Sequence, residues 1–398
     1  NPDFFVHTGD VLYYDKEVGE YSTSVTQANE RWNRMFSLDY NLEFHRQIPS
    51  YFIKDDHDTL KDDCEPGQTY GALTFDQGVE IFHNQTPSGP VRYRTFRWGK
   101  DLQIWLTENR EFRDSNSAPD GPDKSIWGET QKAWFTNTVA ASDATFKLLI
   151  SPGAIIGPDK DNKKDNHANP AWQTEGDEIR QFVARQGNMY IVCGDRHWQY
   201  ASIDPATTAR EYCTGAINEA HAQRGGAPGY DVEKHSYYAV RGGFLSILVE
   251  REAGQPQITF RWHDVDDLNP ETGAARIVYE ETLRPYDFGL VTLIRDHVAN
   301  DVIIQFMSRL GCEYEVESST NLTDWGVAVN GLQARGSLIE FRDSESLAQH
   351  DSMFYRVVET AIPPKVTPFI IASNGDTFSN SDTDGEDFNR ADFVLDLQ

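Results

Sequence analysis

The sequence contains no unbroken apolar run of the roughly 18 residues that a membrane-spanning helix requires, so no span is read from it. It is also short of positive charge. Sixty-three Asp and Glu stand against 36 Lys and Arg, a formal net charge of −27. A surface of that sign repels nucleic acid and anionic membrane and argues against both as partners. An anionic substrate would then need local positive charge, such as bound metal. Cysteine is scarce. The four residues at 64, 193, 213 and 312 lack C-x-x-C or other metal-type spacing. They read as scattered buried thiols, with a Cys193–Cys213 pair as the alternative in an oxidising compartment. Nine Trp, 17 Tyr and 22 Phe in 398 residues supply a sizeable core for two or three domains and exclude global disorder.

What is present is a series of short apolar runs that end in chemistry. Met189-Tyr190-Ile191-Val192-Cys193 has the length and branching of a buried strand, and it runs into Gly194-Asp195-Arg196-His197. Asp3 to Val6 leads to His7-Thr8-Gly9-Asp10, and Tyr51-Phe52-Ile53 leads to Lys54-Asp55-Asp56-His57-Asp58. Open α/β sheets bind ligands at the carboxyl ends of their strands. Three such ends on one edge would bring carboxylates and imidazoles to one place.

The remaining periodicity places helices between buried strands. Trp32, Met35 and Phe36 have helical spacing within 24–40, residues 129–141 read as a helix, and Thr145 to Ile150 as a strand. Gly99-Lys100 is a hairpin signal between Val91 to Trp98 and Asp101 to Leu106. Thr174 with Asp177 resembles a capping box ahead of Ile179, Phe182 and Val183, with Gly187 at the far end. The pattern predicts an α/β sandwich of sheets over 1–285. Short strands at wider spacing predict a small β-sandwich over 286–360. Residues 361–398 form an acidic tail, where Asp382, Asp384, Glu386, Asp387 and Asp392 surround Gly385. Alternating oxygen side chains about a glycine are how a calcium loop is written; a solvated tail is the alternative.

A two-metal site, its ions about 3.5–4 Å apart, needs a bridging carboxylate and further oxygen and nitrogen ligands. Asp10 is assigned the bridge, since Gly9 allows the tight turn that exposes it. Tyr13 can return to the same ion, where a phenolate favours a hard ferric ion. Asp56 binds the second ion, and Asp195 and His197 complete the cluster. His57 faces the substrate as acid or charge stabiliser, and Arg110 clamps a phosphate oxygen. Each has a plainer alternative: a turn for Gly9-Asp10, packing for Tyr13, a helix start for Asp55 to Asp58, and an acid partner for Arg110.

At this point the chain resembles the PhoD-like branch of the calcineurin-type metallophosphatases. The resembling stretches are Pro2 to Asp15, Lys54 to Asp58, Asp120 to Gly128, Ile150 to Pro152 with Asp165 to Asn169, Cys193 to Trp198, and Gly242 to Ser246. The resemblance covers about residues 1–285. It implies a four-layer α/β/β/α fold and a secreted, periplasmic or cell-surface enzyme that hydrolyses phosphate mono- or diesters with metal-bound hydroxide. It implies two metal ions, iron with calcium or another divalent cation. Carried over, Asp10 matches the bridging Asp and Tyr13 the iron-binding Tyr. Asp56 stands where the wider superfamily has an Asn ligand. His57 is the catalytic His, and Asp195 and His197 are the last ligand pair. Asn166 and His167 lie on a loop the branch shares, beside the substrate. The family's first metal motif would precede Asp3, so the natural chain is expected to begin upstream of Asn1. More loosely, 286–360 resembles β-modules of secreted bacterial enzymes through Ser318 to Trp325, implying surface or matrix association. The rival reading is a non-catalytic surface or matrix protein on a retained phosphatase-like scaffold.

Overall fold

The structure, a computed structural model, describes residues 2–16, 21–89, 91–186, 188–252, 254–284, 291–296, 301–308, 313–333, 338–344 and 353–361. In chain order, β1 (Phe5–His7) is followed by α1 (Val25–Phe36), α2 (Asp39–Gln47) and β2 (Ser50–Phe52). A small hairpin, β3 (Thr69–Tyr70) and β4 (Leu73–Thr74), leads into α3 (Phe75–Gln85). Then come β5 (Arg94–Trp98), β6 (Leu102–Leu106), α4 (Gly128–Ala140), β7 (Phe146–Ser151), α5 (Gln173–Arg185) and β8 (Met189–Cys193). Next are β9 (Gln199–Ile203), β10 (Arg210–Cys213), α6 (Glu219–Arg224), β11 (His235–Ala239), β12 (Gly243–Glu252), β13 (Gln255–Leu268) and β14 (Ala275–Leu283).

Seven strands form the main sheet in the order β11-β9-β10-β8-β7-β6-β5. Its centre, β10, β8, β7 and β6, is parallel, and antiparallel strands lie outside it. Parallel strands are buried on both faces and so read as continuous apolar runs; all five residues of β8 are buried. One face, with Ile104, Leu148, Ile150, Tyr190 and Val192, packs against a second layer. That layer is built from the parallel pair β1–β2 and the antiparallel sheet β12-β13-β14. Ile258, Phe260 and Trp262 alternate inward from β13, and the Trp262 indole donates to the Cys213 carbonyl at 2.8 Å.

The outer face of the main sheet, with Trp105, Leu149 and Ile191, is covered by Phe135 and Val139 of α4 and Ile179 and Val183 of α5. On the far side of β2, Phe52 packs with Ala28 and Trp32 of α1 and Phe75, Val79 and Phe82 of α3. The order of layers is therefore α/β/β/α, as the family resemblance implies. The helix N-terminus at 173 differs from expectation. Thr174 lies inside α5 and bonds to Asp120, while Asp177 accepts from Gln173 and Arg180, so no Thr174–Asp177 box forms. Gly187 lies outside the described residues.

The C-terminal strands form two three-stranded sheets. One joins β15 (Val291–Asp296), β16 (Asp301–Met307) and β19 (Leu338–Asp343). The other joins β17 (Glu313–Ser319), β18 (Gly326–Gln333) and β20 (Phe354–Ala361). Val302, Ile304 and Phe306 share one core with Tyr314, Val316, Tyr355 and Val357. The acidic tail with its calcium-type loop lies outside the described residues, as does Cys312. Cys64, Cys193 and Cys213 are buried free thiols, and Cys193 and Cys213 are register partners on β8 and β10.

Phe260 stacks on Tyr212 with ring centroids 3.8 Å apart, at the contact between the two β-layers. Phe260→Ala is expected to destabilise the protein by about 3–5 kcal/mol. Urea unfolding measures this, and a loss below about 1 kcal/mol would contradict a shared inter-sheet core.

Candidate metal centre

The three strand ends meet because two glycines let them. Gly9, after β1, has φ +101, and a Cβ there would lie 2.7 Å from Asp55 Cβ at the end of β2. A Cβ on Gly194, after β8, would lie 2.5 Å from the Thr8 carbonyl oxygen. The next residue in each case is an aspartate in the left-handed region: Asp10 at φ 54 and Asp195 at φ 61. Side-chain-bearing residues seldom adopt that backbone, and where they do the site is commonly functional.

Ligand-type atoms of Asp10, Asp56 and His57 all lie within 4.8 Å of one another. The same holds for Asp10, Asp55 and Asp195, and for Asp56, Asp62 and Asp63. The Tyr13 hydroxyl donates to Asp10 Oδ2 at 3.1 Å and lies 3.4 Å from His197 Nε2. Asp10, Tyr13, Asp56, His57, Asp195 and His197 are thus gathered in one place. Asp10 Oδ1 and Asp55 Oδ2 are buried with no hydrogen-bond partner. Orphaned oxygens among crowded carboxylates are a donor set that suits hard cations, because burying unpaired carboxylate charge is otherwise costly.

The charges here are strongly perturbed. Burial raises Asp10 and Asp55 well above the usual carboxylate range; His57 opposes this at Asp10 and Arg110 opposes it at Asp55. Burial pushes Asp195 up to about 6. Asp56 is held low: burial works against its charge, but His57 and Arg110 outweigh it. Burial also opposes charge on His57, yet Asp56 and Asp10 hold its pKa well above normal. His197 is driven the other way, to about 3, by burial and by His221. It is a neutral imidazole, the form that binds metal.

A supporting set fixes these groups. Asp58 accepts from Asp55 N at 2.7 Å and Val11 N at 3.1 Å, tying the first two strand ends together. Asp15 holds His57 Nδ1 at 2.7 Å and also accepts from Asp62 N. Asp55 to Asp58 form a turn, not a helix start, with the Leu60 amide donating to the Asp56 carbonyl at 2.7 Å. Tyr14 is packing: its buried hydroxyl accepts from Trp32 Nε1.

Three expectations are corrected. Arg110 is 1 % exposed, and its guanidinium bonds Asp55 at 2.6 Å and faces Asp165 at 3.5 Å. It holds carboxylates in place instead of reaching out to a substrate. His167 is wholly buried against Trp127 with Nε2 3.0 Å from Glu175, on the helix side of the sheet, so it cannot meet a substrate. Asn166 is nearer, but its amide donates to Asp159 Oδ2 at 2.9 Å, which makes it a brace for the loop.

Several residues were missed. Asp55 sat beside the chosen Asp56, and the pair Asp62-Asp63 follows six residues on; both were visible as acidic doublets. Arg196, bonded to Asp195 and Asp159, and Asp165, held low by Arg196 and Arg110 against burial, gave no local signal. Lys163, paired with Asp63, gave none either.

Two face-to-face β-layers flanked by helices, with buried carboxylates and a neutral imidazole at the strand ends, define a metallophosphatase type of architecture. The chain belongs to the PhoD-like phosphatase family, whose model matches residues 1–237. Among solved structures, one described as the structure of PhoD is similar at 14% identity with a TM-score of 0.55. The match covers 72% of this chain and 65% of that one, so this chain spans just under two thirds of its length. Purple acid phosphatase PPD1 from yellow lupin (Lupinus luteus) seeds aligns at 10% identity and TM-score 0.47, over 71% of this chain and 46% of that one. No curated protein sequence matches the chain.

The shifts set a pH dependence. Burial pushes Asp58 and Asp63 up to about 7, from an ordinary 3.8. The folded, metal-free protein keeps protons there that the unfolded chain has already released, so stability falls as pH rises toward and through about 7. His57, with its raised pKa, acts in the same sense. His7 and His197, buried and neutral, act oppositely, but only below their ordinary 6.5. With chelator present, the Tm is therefore expected to fall between about pH 6.5 and 8, and saturating divalent metal should flatten that slope by replacing the protons. A metal-free Tm that rises over this interval would contradict the assignment.

Proposed function

We propose that this protein hydrolyses phosphate esters at a dinuclear metal centre held by Asp10, Tyr13, Asp56, Asp195 and His197. The observation that carries this reading is the convergence of those side chains at the carboxyl ends of strands from both β-layers. The Tyr13 hydroxyl, close to Asp10 and His197, supports a hard ferric ion at that corner. The all-oxygen group Asp56, Asp62 and Asp63 supports calcium or another divalent cation beside it. When bound, two ions supply an activated water and neutralise the phosphoryl oxygens.

The chain's own residues do the rest. The carboxylates around His57, Asp56 and Asp10 first, favour its protonated form against burial. Asp15 fixes Nδ1 at 2.7 Å, while Nε2, among the described residues, faces the half-exposed Asp62 at 3.5 Å. Nε2 is therefore the atom that gives its proton to the leaving oxygen. Arg110, fixed on Asp55, orients that carboxylate and favours its charged form against burial. Loss of a positioned general acid lowers turnover about 10²–10⁴-fold.

His57→Ala is expected to lose that factor in kcat toward phenyl phosphate or bis(p-nitrophenyl) phosphate while retaining its metal, measured by elemental analysis of protein purified without chelator. Full activity in the variant, or loss of metal with loss of activity, would sink its role as proton donor. Wild-type protein is expected to hold close to two ions, iron among them, and chelator should abolish turnover until metal is returned.

A further inference from the structure

On a chain with 27 more acidic than basic side chains, a cation without a carboxylate partner is conspicuous. Lys160 is one. Two cations that act on it are paired: Lys163 with Asp63, and Arg196 with Asp159 and Asp195. Among the described residues, no acid lies within ion-pair distance of the Lys160 ammonium, although it is half-buried.

Its position is fixed from both sides. The preceding residue, Asp159, is gripped by Arg196 and by the amides of Asn166 and Asn169, each at 2.9 Å, and it accepts from Lys160 N at 2.6 Å. Further along, Nζ lies 6.0 Å from the Trp198 ring centroid and against Gly226, where a Cβ would be 3.4 Å from Cε and Nζ. Gly225, next to it, lies against His197: a Cβ there would be 2.4 Å from His197 Cβ. The Gly225-Gly226 pair thus seats His197 and Lys160 side by side. His221 of α6 borders the same place, its ring 4.1 Å from that of His197 and 5.1 Å from that of Tyr13. Lys160 acts electrostatically on His197, and Asp195 acts on Lys160, so its charge belongs to the field of the metal centre.

We propose that Lys160 binds a second phosphoryl group of the substrate, so that the ester consumed carries one phosphate at the metal centre and another within reach of the Lys160 ammonium. A compact ammonium suits a phosphate as a point charge. Arg196 and Lys163 are taken up by their own carboxylates, which leaves the Lys160 ammonium as the charge available to an anion here. This inference rests on the phosphoesterase reading above.

The test is calorimetric binding to metal-loaded protein, using methylphosphonate and the non-hydrolysable methylenediphosphonate. Wild-type protein is expected to bind the diphosphonate at least about ten-fold more tightly. Lys160→Met should lose most of that preference and Lys160→Arg should keep it. A preference unchanged in Lys160→Met, an equal loss of affinity for both anions, or no preference in wild type would overturn the proposal. Turnover of phenyl phosphate by the wild type is measured alongside. A protein that binds the diphosphonate through Lys160 but hydrolyses nothing would overturn the enzymatic reading alone.

Discussion

Carboxylate repulsion is the constraint around which the first 285 residues are arranged. Asp10, Asp55, Asp56, Asp58, Asp165 and Asp195 crowd together in a largely buried region, with Asp10 and Asp195 at its more open edge. An isolated buried carboxylate is costly, and several together are worse. The chain answers with a few placed cations: Arg110 on Asp55 and Asp165, Arg196 on Asp195 and Asp159, Lys163 on Asp63, and a protonated His57. These do not cover every oxygen. The unpartnered Asp10 Oδ1 and Asp55 Oδ2 mark where the compensation stops and where a bound cation would complete it.

Strands of the parallel sheet were legible because burial on both faces leaves an apolar run that nothing else in the sequence imitates. The run Met189 to Cys193 is β8 itself, and Gly99-Lys100 is the β5–β6 turn. Asp10, Tyr13, Asp56, His57, Asp195 and His197 were legible because each follows a strand end closely enough to be carried to the sheet edge. Arg110 was misread because its spacing after β6 says that it reaches the site but not which side it faces. His167 was misread because a loop of Gly, Pro, Asp and Asn has no periodicity from which to tell inside from outside. Lys163 and the link from Arg196 to Asp159 were invisible for a related reason: those partners lie 100 and 37 residues away, and only the closed fold brings them together.

Helix starts show the same limit. The α3 box at Thr74 and Gln77 is complete in both directions, whereas at Thr174 the two expected partners bond elsewhere, Thr174 to Asp120 and Asp177 to Gln173 and Arg180. A capping residue is free to cap only if no tertiary partner claims its side chain, and that condition is not written locally.

The ligand-type side chains come from both β-layers: Asp10 and Asp56 follow β1 and β2, and Asp195 follows β8. An ion held by Asp10 with Asp55 and Asp195, whose ligand-type atoms lie within 4.8 Å of one another, would span the seam between the layers, much as a covalent cross-link does. Separating the sheets would first require giving up that ion, since the unfolded chain has no comparable cluster to hold it. A bound ion would thereby lengthen the molecule's survival against protease and heat, whether or not substrate is being turned over.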